Sequence, residues 1–248
     1  MAGGANSGIW LPYCGAAPDP AELLTRWNFD PLLVIVLLAA SLVGYRKARS
    51  IGTGTPFAAA MATLALLFVS PLCALTSALF AARAAHHAIL IAVSAPLLAW
   101  SLPDWRAVQK IPLTPAAVLH AAVLWVWHTP ALYAAALSHD AVYWLMQATL
   151  LGSAFAFWSA VKRASVTAAV GALLGTMVQM GLLGALITFA SAPLYAPHLL
   201  TTAAWRLTPL HDQQLAGLIM WAPAAALYLA AALTIAWRWL HEEGRAAA

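Results

Sequence analysis

Charge is scarce in this chain. Asp, Glu, Lys and Arg together make up 8% of its 248 residues, whereas 63% are hydrophobic. A soluble domain carries roughly 25% charged residues. Mean hydropathy is +0.82. That balance excludes an ordinary soluble domain and points to a membrane protein, whose elements are sized by bilayer thickness. The net charge of +4 is scattered and forms no basic block, so no nucleic-acid partner is expected.

Cysteine is nearly absent. Cys14 and Cys73 are the two in the chain, and they make neither a CxxC motif nor a disulfide framework. A single bond between them stays open as a reading if both face an oxidising compartment. The first residues, MAGGANSGIWLPYCGAAPDPAE, have no basic start and no apolar core, so no cleaved signal peptide is expected there.

Also missing are the groups that several membrane activities require. Lys47, Lys110 and Lys162 all fall at the edges of apolar runs, so no buried lysine is left for a retinal Schiff base. The few carboxylates, among them Asp19, Asp30, Asp104, Asp140 and Asp212, avoid the middle of every run, which argues against an ion pump. No Ser-His-Asp set, no paired carboxylates and no internal repeat are present, and no enzymatic activity is expected.

What the chain has is seven apolar runs of about 20 residues, the length of a spanning helix. They lie near 30–46, 56–79, 86–102, 114–136, 141–160, 166–190 and 215–239. The expected fold is all-α, a polytopic membrane bundle of seven transmembrane helices. Residues 1–29 form an extracytoplasmic N-terminal segment read as a tail without regular structure. The bundle occupies 30–241, and 242–248 is a cytoplasmic tail.

Lys and Arg set the expected orientation. Arg46, Lys47, Arg49, Arg106, Lys110, Lys162, Arg163, Arg238 and Arg245 fall on one side, against Arg26, Arg83 and Arg206 on the other. The bias places the N-terminus outside and the C-terminus inside. Trp10, Trp27, Trp100, Trp105, Trp205, Trp237 and Trp239 mark the interfaces. In the sixth run, Gly171 and Gly175 form a small-xxx-small pair expected to pack against another helix, with Gly181 and Gly184 extending that face.

With this topology, His86, His87, His139, His198 and His211 fall at the outer face. His128 lies on the outer half of the fourth run. His120 is two turns deeper, about 12 Å along the axis, and cannot share a site with His128. His86 and His87 are adjacent, so their side chains diverge by about 100° on a helix and one of them points inward. Cys73, Met146, Met177, Met180 and Met220 lie at similar depth. Imidazole and thioether together suit Cu(I) rather than Mg or Ca. The candidate metal ligands are His86, His87, His128, His211, Met180 and Met220. Asp212 and Gln213 are candidate supports, Asp212 by orienting His211 or a partner that carries the copper.

The last of the long apolar runs opens with DQQLAGLIMW at 212–221, and ITFASAPLY precedes it at 187–195. These stretches, with WNFDP at 27–31, HHAILIAVSAPLLA at 86–99 and WHTPALYAAAL at 127–137, resemble the CtaG family of cytochrome c oxidase assembly factors. That is the integral-membrane type from aerobic bacteria. Aligned on Pro96, the family's usual third-helix motif places its second histidine on His87, its glutamine on His86 and its first histidine on Arg83. Where the family often has Glu-His in a later helix, this chain has Met146-Gln147.

The resemblance implies a role in maturing haem-copper oxidases in the bacterial inner membrane, with Cu(I) handled at the periplasmic face. It implies cytochrome c oxidase subunits and a periplasmic copper carrier as partners, besides the lipid bilayer. Two other functions are compatible with the residues. One is a metal-free scaffold or accessory subunit docking through Gly171 and Gly175. The other is a haem-binding protein using His87 and His128.

Overall fold

Asp30 and Pro31 start the first helix. The Asp30 carboxylate accepts the Leu33 N–H at 3.0 Å, and Pro31 occupies a position where its missing N–H costs nothing. In the computed structural model, which describes residues 12–102 and 110–246, helix α1 runs Pro31–Ser50. Its outer face, with Leu32, Ile35, Leu38 and Val43, is exposed, and 11% of its apolar window is buried. A face of that composition is stable in lipid and not in water.

α2 spans Gly54–Phe68 and α3 spans Pro71–Ala78. The break between them bends the pair by 47°. Pro71 cannot continue the hydrogen-bond ladder, and Ser70 restarts it by accepting the Leu72 N–H at 3.2 Å. α4 is Phe80–Ser101, with a π turn at Leu90–Ser94 just ahead of Pro96. In that register Pro96 has no N–H to give to the carbonyl five residues back, Ile91. Trp158 fills the gap, its Nε1–H donating to Ile91 O at 2.8 Å.

α5 spans Leu113–Trp127 and α6 spans Pro130–Ala136, separated by a break at His128 and Thr129. α7 is Asp140–Arg163 and α8 is Val166–Thr188. A long loop with short 3-10 turns at Ala196–His198 and Ala203–Trp205 then leads to α9. This helix starts as Pro209–Ile219, passes a π turn at Met220–Ala224 that contains Pro223, and continues as Ala225–Ala246.

The all-helical expectation holds among the described residues. Five helices are long and apolar enough to cross a membrane, or six when α2 and α3 count as one bent span. The fourth expected run differs. Its helix α5 has 15 residues, about 22 Å at 1.5 Å each, which is short of a hydrocarbon core of about 30 Å. The third run also differs, because α4 begins at Phe80 rather than near 86. Trp10, Trp105 and Arg106 of the interface and charge readings lie outside the described residues.

The N-terminal segment is not a plain tail. Cys14 and Cys73 are disulfide-bonded, closing a loop of sequence separation 59 around α1 and α2. Tyr13 stacks on Tyr143 with ring centroids 5.0 Å apart, and Trp205 donates to Pro18 O at 3.1 Å. At the opposite end of the bundle, Thr53 Oγ1 donates to Ser101 O at 2.6 Å and Lys162 Nζ to Ala99 O at 3.4 Å. The ends of α1, α4 and α7 that carry Arg46, Lys47, Arg49, Lys162 and Arg163 therefore meet.

The expected glycine face is corrected. Gly171 and Gly175 are exposed and have open space around them. The close helix crossing lies at the other end of α8, where Gly184 meets Gly217 of α9. A β-carbon on Gly184 would stand 2.7 Å from Gly217 O, and one on Gly217 would collide with Thr188 Oγ1. Both ends of α8 carry a closely spaced glycine pair; the second helix decides which end is used.

Gly217→Ala should therefore cost about 1–3 kcal/mol through overpacking. Gly171→Ala should be neutral or gain up to about 1 kcal/mol from helix propensity. Thermal unfolding of the two variants in detergent checks the contrast, and equal melting temperatures would refute it.

Candidate functional site

The first turn of α4 is buried, and Leu79 ahead of it offers no side-chain cap. Its orphan N–H groups need partners. Asp212, fully buried on α9, supplies both oxygens: it accepts Phe80 N–H at 2.7 Å and Ala81 N–H at 3.1 Å. Asp212 therefore caps a helix more than a hundred residues away rather than orienting His211. Gln213 beside it is likewise structural. Its Oε1 accepts Leu194 N–H at 2.6 Å, and its Nε2 donates to Ile187 O and Ala192 O at 3.2 and 3.3 Å.

From that anchored start, α4 turns Arg83, His86 and His87 into the protein. All three are buried. The expectation that only one of the adjacent histidines points inward fails, because helices pack on both sides of this segment. His86 Nε2–H donates to Leu67 O of α2 at 3.2 Å, which leaves Nδ1 with the lone pair. His87 turns the other way, towards α5 and α7. Its Nε2 stands 3.5 Å from Gln147 Nε2, and its ring lies edge-on to that of His128 with centroids 5.8 Å apart. His86 and His87 are also 5.8 Å apart, so the three rings form one chain.

His128 sits where α5 ends. Its Nδ1–H donates back to Leu124 O at 2.7 Å, leaving Nε2 as the lone-pair nitrogen. Tyr195 of the long loop donates to the His128 carbonyl at 2.8 Å, which satisfies the broken helix end. The break before Thr129-Pro130 is thus what gives His128 its place.

A second polar chain covers the first. Tyr133 O–H donates to His198 Nε2 at 2.6 Å, and His198 Nδ1–H donates to Ala78 O at 3.3 Å. His198 lies on the loop outside the spanning helices. Burial pushes its pKa from 6.5 down to about 3, helped by the charge of Arg83 and opposed by the Ala78 carbonyl. Deeper in the bundle, His120 pairs with Ser153 and Tyr228 at 3.2 and 3.3 Å, as part of a separate polar contact.

The structure thus brings His86, His87 and His128 together. His211 is exposed on the first turn of α9, where its N–H binds the Thr208 cap. Met220 is buried and opens the π turn of α9, which packs against the histidine-bearing part of α4. Met180 is buried on α8, which packs against the same turn. Among the described residues, no three His, Cys, Asp or Glu side chains converge as a metal cluster.

The residues fit a soft ion in part. His128 Nε2 is a free donor, and Met220 is carried next to α4, a set that suits Cu(I) better than a hard ion. Arg83 opposes any cation, because its fixed charge sits on the same helix.

Sequence reasoning did not pick out Tyr133 and Tyr143 as parts of this site, and it reached Arg83 and Gln147 only as the places where the family's first histidine and Glu-His pair fall. Arg83 was read as an outer-face cation; it is wholly buried, with its Cζ 5.3 Å from the Tyr143 ring centroid. The Cys14–Cys73 bond lies against the same region, with Cys14 Sγ 3.6 Å from Tyr143 Oη. Gln147 also lines an apolar groove of 540 Å³ between α1, α2 and α7, together with Leu33, Phe68, Trp144 and Leu151.

A family model described as cytochrome c oxidase caa3 assembly factor matches residues 32–242. No curated protein and no solved structure matches the chain.

The His198 geometry carries a pH dependence. Its folded pKa lies below the unfolded one, so its contribution is complete above pH 6.5 and is lost as pH falls towards 3. The slope is at most about 1.4 kcal/mol per pH unit for one group. Melting curves in detergent between pH 7 and 4 should show a shallower acid-side loss for His198→Gln than for the wild type. Parallel slopes would refute the assignment.

Proposed function

Because the chain belongs to the family of cytochrome c oxidase caa3 assembly factors, we propose that it is a multi-pass plasma-membrane protein that binds Cu(I) transiently while an oxidase is assembled. The observation that carries this reading is the buried contact between His87 and His128. Two imidazole nitrogens at about 2 Å from one ion stand about 4 Å apart, a separation that rings with centroids 5.8 Å apart can present. Met220, and Met180 beside it on α8, would add thioether sulfur. Weak and few donors suit a carrier that must release its cargo. Oxidase subunits and a periplasmic copper carrier are the partners on this reading, and the role is non-catalytic.

Seven crossings with the N-terminus outside complete the proposal. The Cys14–Cys73 bond supports that side as the oxidising one. The meeting of the basic ends of α1 and α7 supports the opposite side as cytoplasmic. In this arrangement the histidine chain lies just under the periplasmic surface.

A second reading has a specific observation in its favour. The fixed positive charge of Arg83, buried on the same helix as His87, repels a cation. On that reading the protein is a metal-free scaffold that holds an oxidase subunit while its cofactors are inserted.

Copper titration of the purified protein under reducing conditions separates the two. The carrier reading expects about one Cu(I) per chain, at least tenfold weaker in a His87→Ala/His128→Ala variant that still folds. No stoichiometric binding, together with metal-free co-purification with the oxidase at fixed ratio, would establish the scaffold instead.

A further inference from the structure

Arg83 is the most anomalous residue in the structure. It is 0% exposed, one turn into α4. A buried histidine or lysine can shed its proton; an arginine keeps its charge. A buried ion without a partner costs several kcal/mol. The compensation on hand comes from neutral groups, the Tyr133 and Tyr143 hydroxyls among them. Nη2 donates to Thr76 O at 3.3 Å, and the Tyr143 ring faces the guanidinium. Nε and Nη1 have no hydrogen-bond partner. No Asp or Glu pairs with Arg83 among the described residues, and Asp212 spends both oxygens on the Phe80 and Ala81 amides.

The neighbouring His87 ring stands 3.5 Å from the Gln147 amide through Nε2, and its Nδ1 is buried without a partner. The charge of Arg83 reaches His87, and its side chain interacts with the Tyr133 and Tyr143 hydroxyls. Unused donors, a fixed positive charge and exclusion of water are together the recipe for anion binding.

We propose that Arg83 anchors a binding site for a small monovalent anion, a halide or a carboxylate, held by the Nε and Nη1 donors that Arg83 leaves unused. Nothing in this inference depends on copper. If the carrier reading also stands, the two sites are coupled: an anion at Arg83 cancels the repulsion felt by a cation at His87 and His128, and the coupling is reciprocal.

The test is thermal unfolding of the full-length protein in detergent at constant ionic strength. Sodium gluconate, a bulky anion, is replaced stepwise by chloride or by acetate. The expected result is a saturable rise in melting temperature of roughly 3 °C or more in at least one of the two. A response to chloride identifies a halide site. A response to acetate alone identifies a carboxylate of some larger bound group. Arg83→Gln should lose the response, and in gluconate it should melt at or above the wild type because it buries no charge. Identical melting of the wild type in all three salts would overturn the proposal.

Should Arg83→Gln fail to fold, crystals of the wild type grown in bromide decide the matter. An anomalous peak beside Arg83 supports the site; bromide peaks confined to the molecular surface, together with no anion density beside Arg83 in crystals grown in acetate, overturn it.

Discussion

The Asp212 carboxylate fixes the phase of α4. Buried N–H groups at a helix start must be bonded, and the residues just ahead of Phe80 supply nothing. A single charged side chain from α9 does so instead, at 2.7 and 3.1 Å. The helix dipole and the carboxylate favour each other, which lets a charge be buried at moderate cost. Once the first turn is set, the rotation of every later residue follows. Arg83, His86 and His87 fall on faces that look into the bundle because Phe80 and Ala81 are held where they are. The cap also joins two helices distant in sequence, so the polar site and the tertiary fold rest on the same bond.

How much of this was legible in the sequence depends on whether the deciding partner was local. Asp30-Pro31 fixes the start of α1 by chemistry contained within four residues, and the apolar run expected near 30–46 starts there. The start of α4 is fixed from α9, so nothing near Phe80 reveals it. That single displacement explains three misreadings: His86 and His87 taken as a helix opening, only one of them facing inward, and Arg83 taken as an outer-face cation. The Gly171/Gly175 reading failed for a related reason. Small residues recur along α8, and only the backbone of α9 at Gly217 selects Gly184 as the crossing. The Cys14–Cys73 pairing stayed open because two cysteines far apart in sequence carry no spacing signal.

The candidate site combines features that pull in opposite directions. Imidazole lone pairs and nearby thioethers attract a soft cation; a guanidinium on the same helix repels one. Proteins keep such conflicts inside a core only where each group is held by its surroundings. Here the holding is visible: Leu67, Leu124 and Ala78 offer backbone carbonyls that fix the tautomers of His86, His128 and His198. The histidines are therefore presented in set orientations rather than free to rearrange, and the nitrogen left as the acceptor on each is determined by the fold.

The covalent link between Cys14 and Cys73 bears on α1 in a way that burial alone does not show. α1 buries less of itself than any other long helix here, and an apolar groove runs beside it. Contact energy alone would hold it weakly. Yet the bridge turns the stretch from the N-terminal segment through α2 into a closed ring, with α1 as one arc of it. Detachment of that arc would have to carry its neighbours along. The most loosely seated helix of the bundle is thus retained by connectivity, much as a handle stays on a vessel by its two rivets.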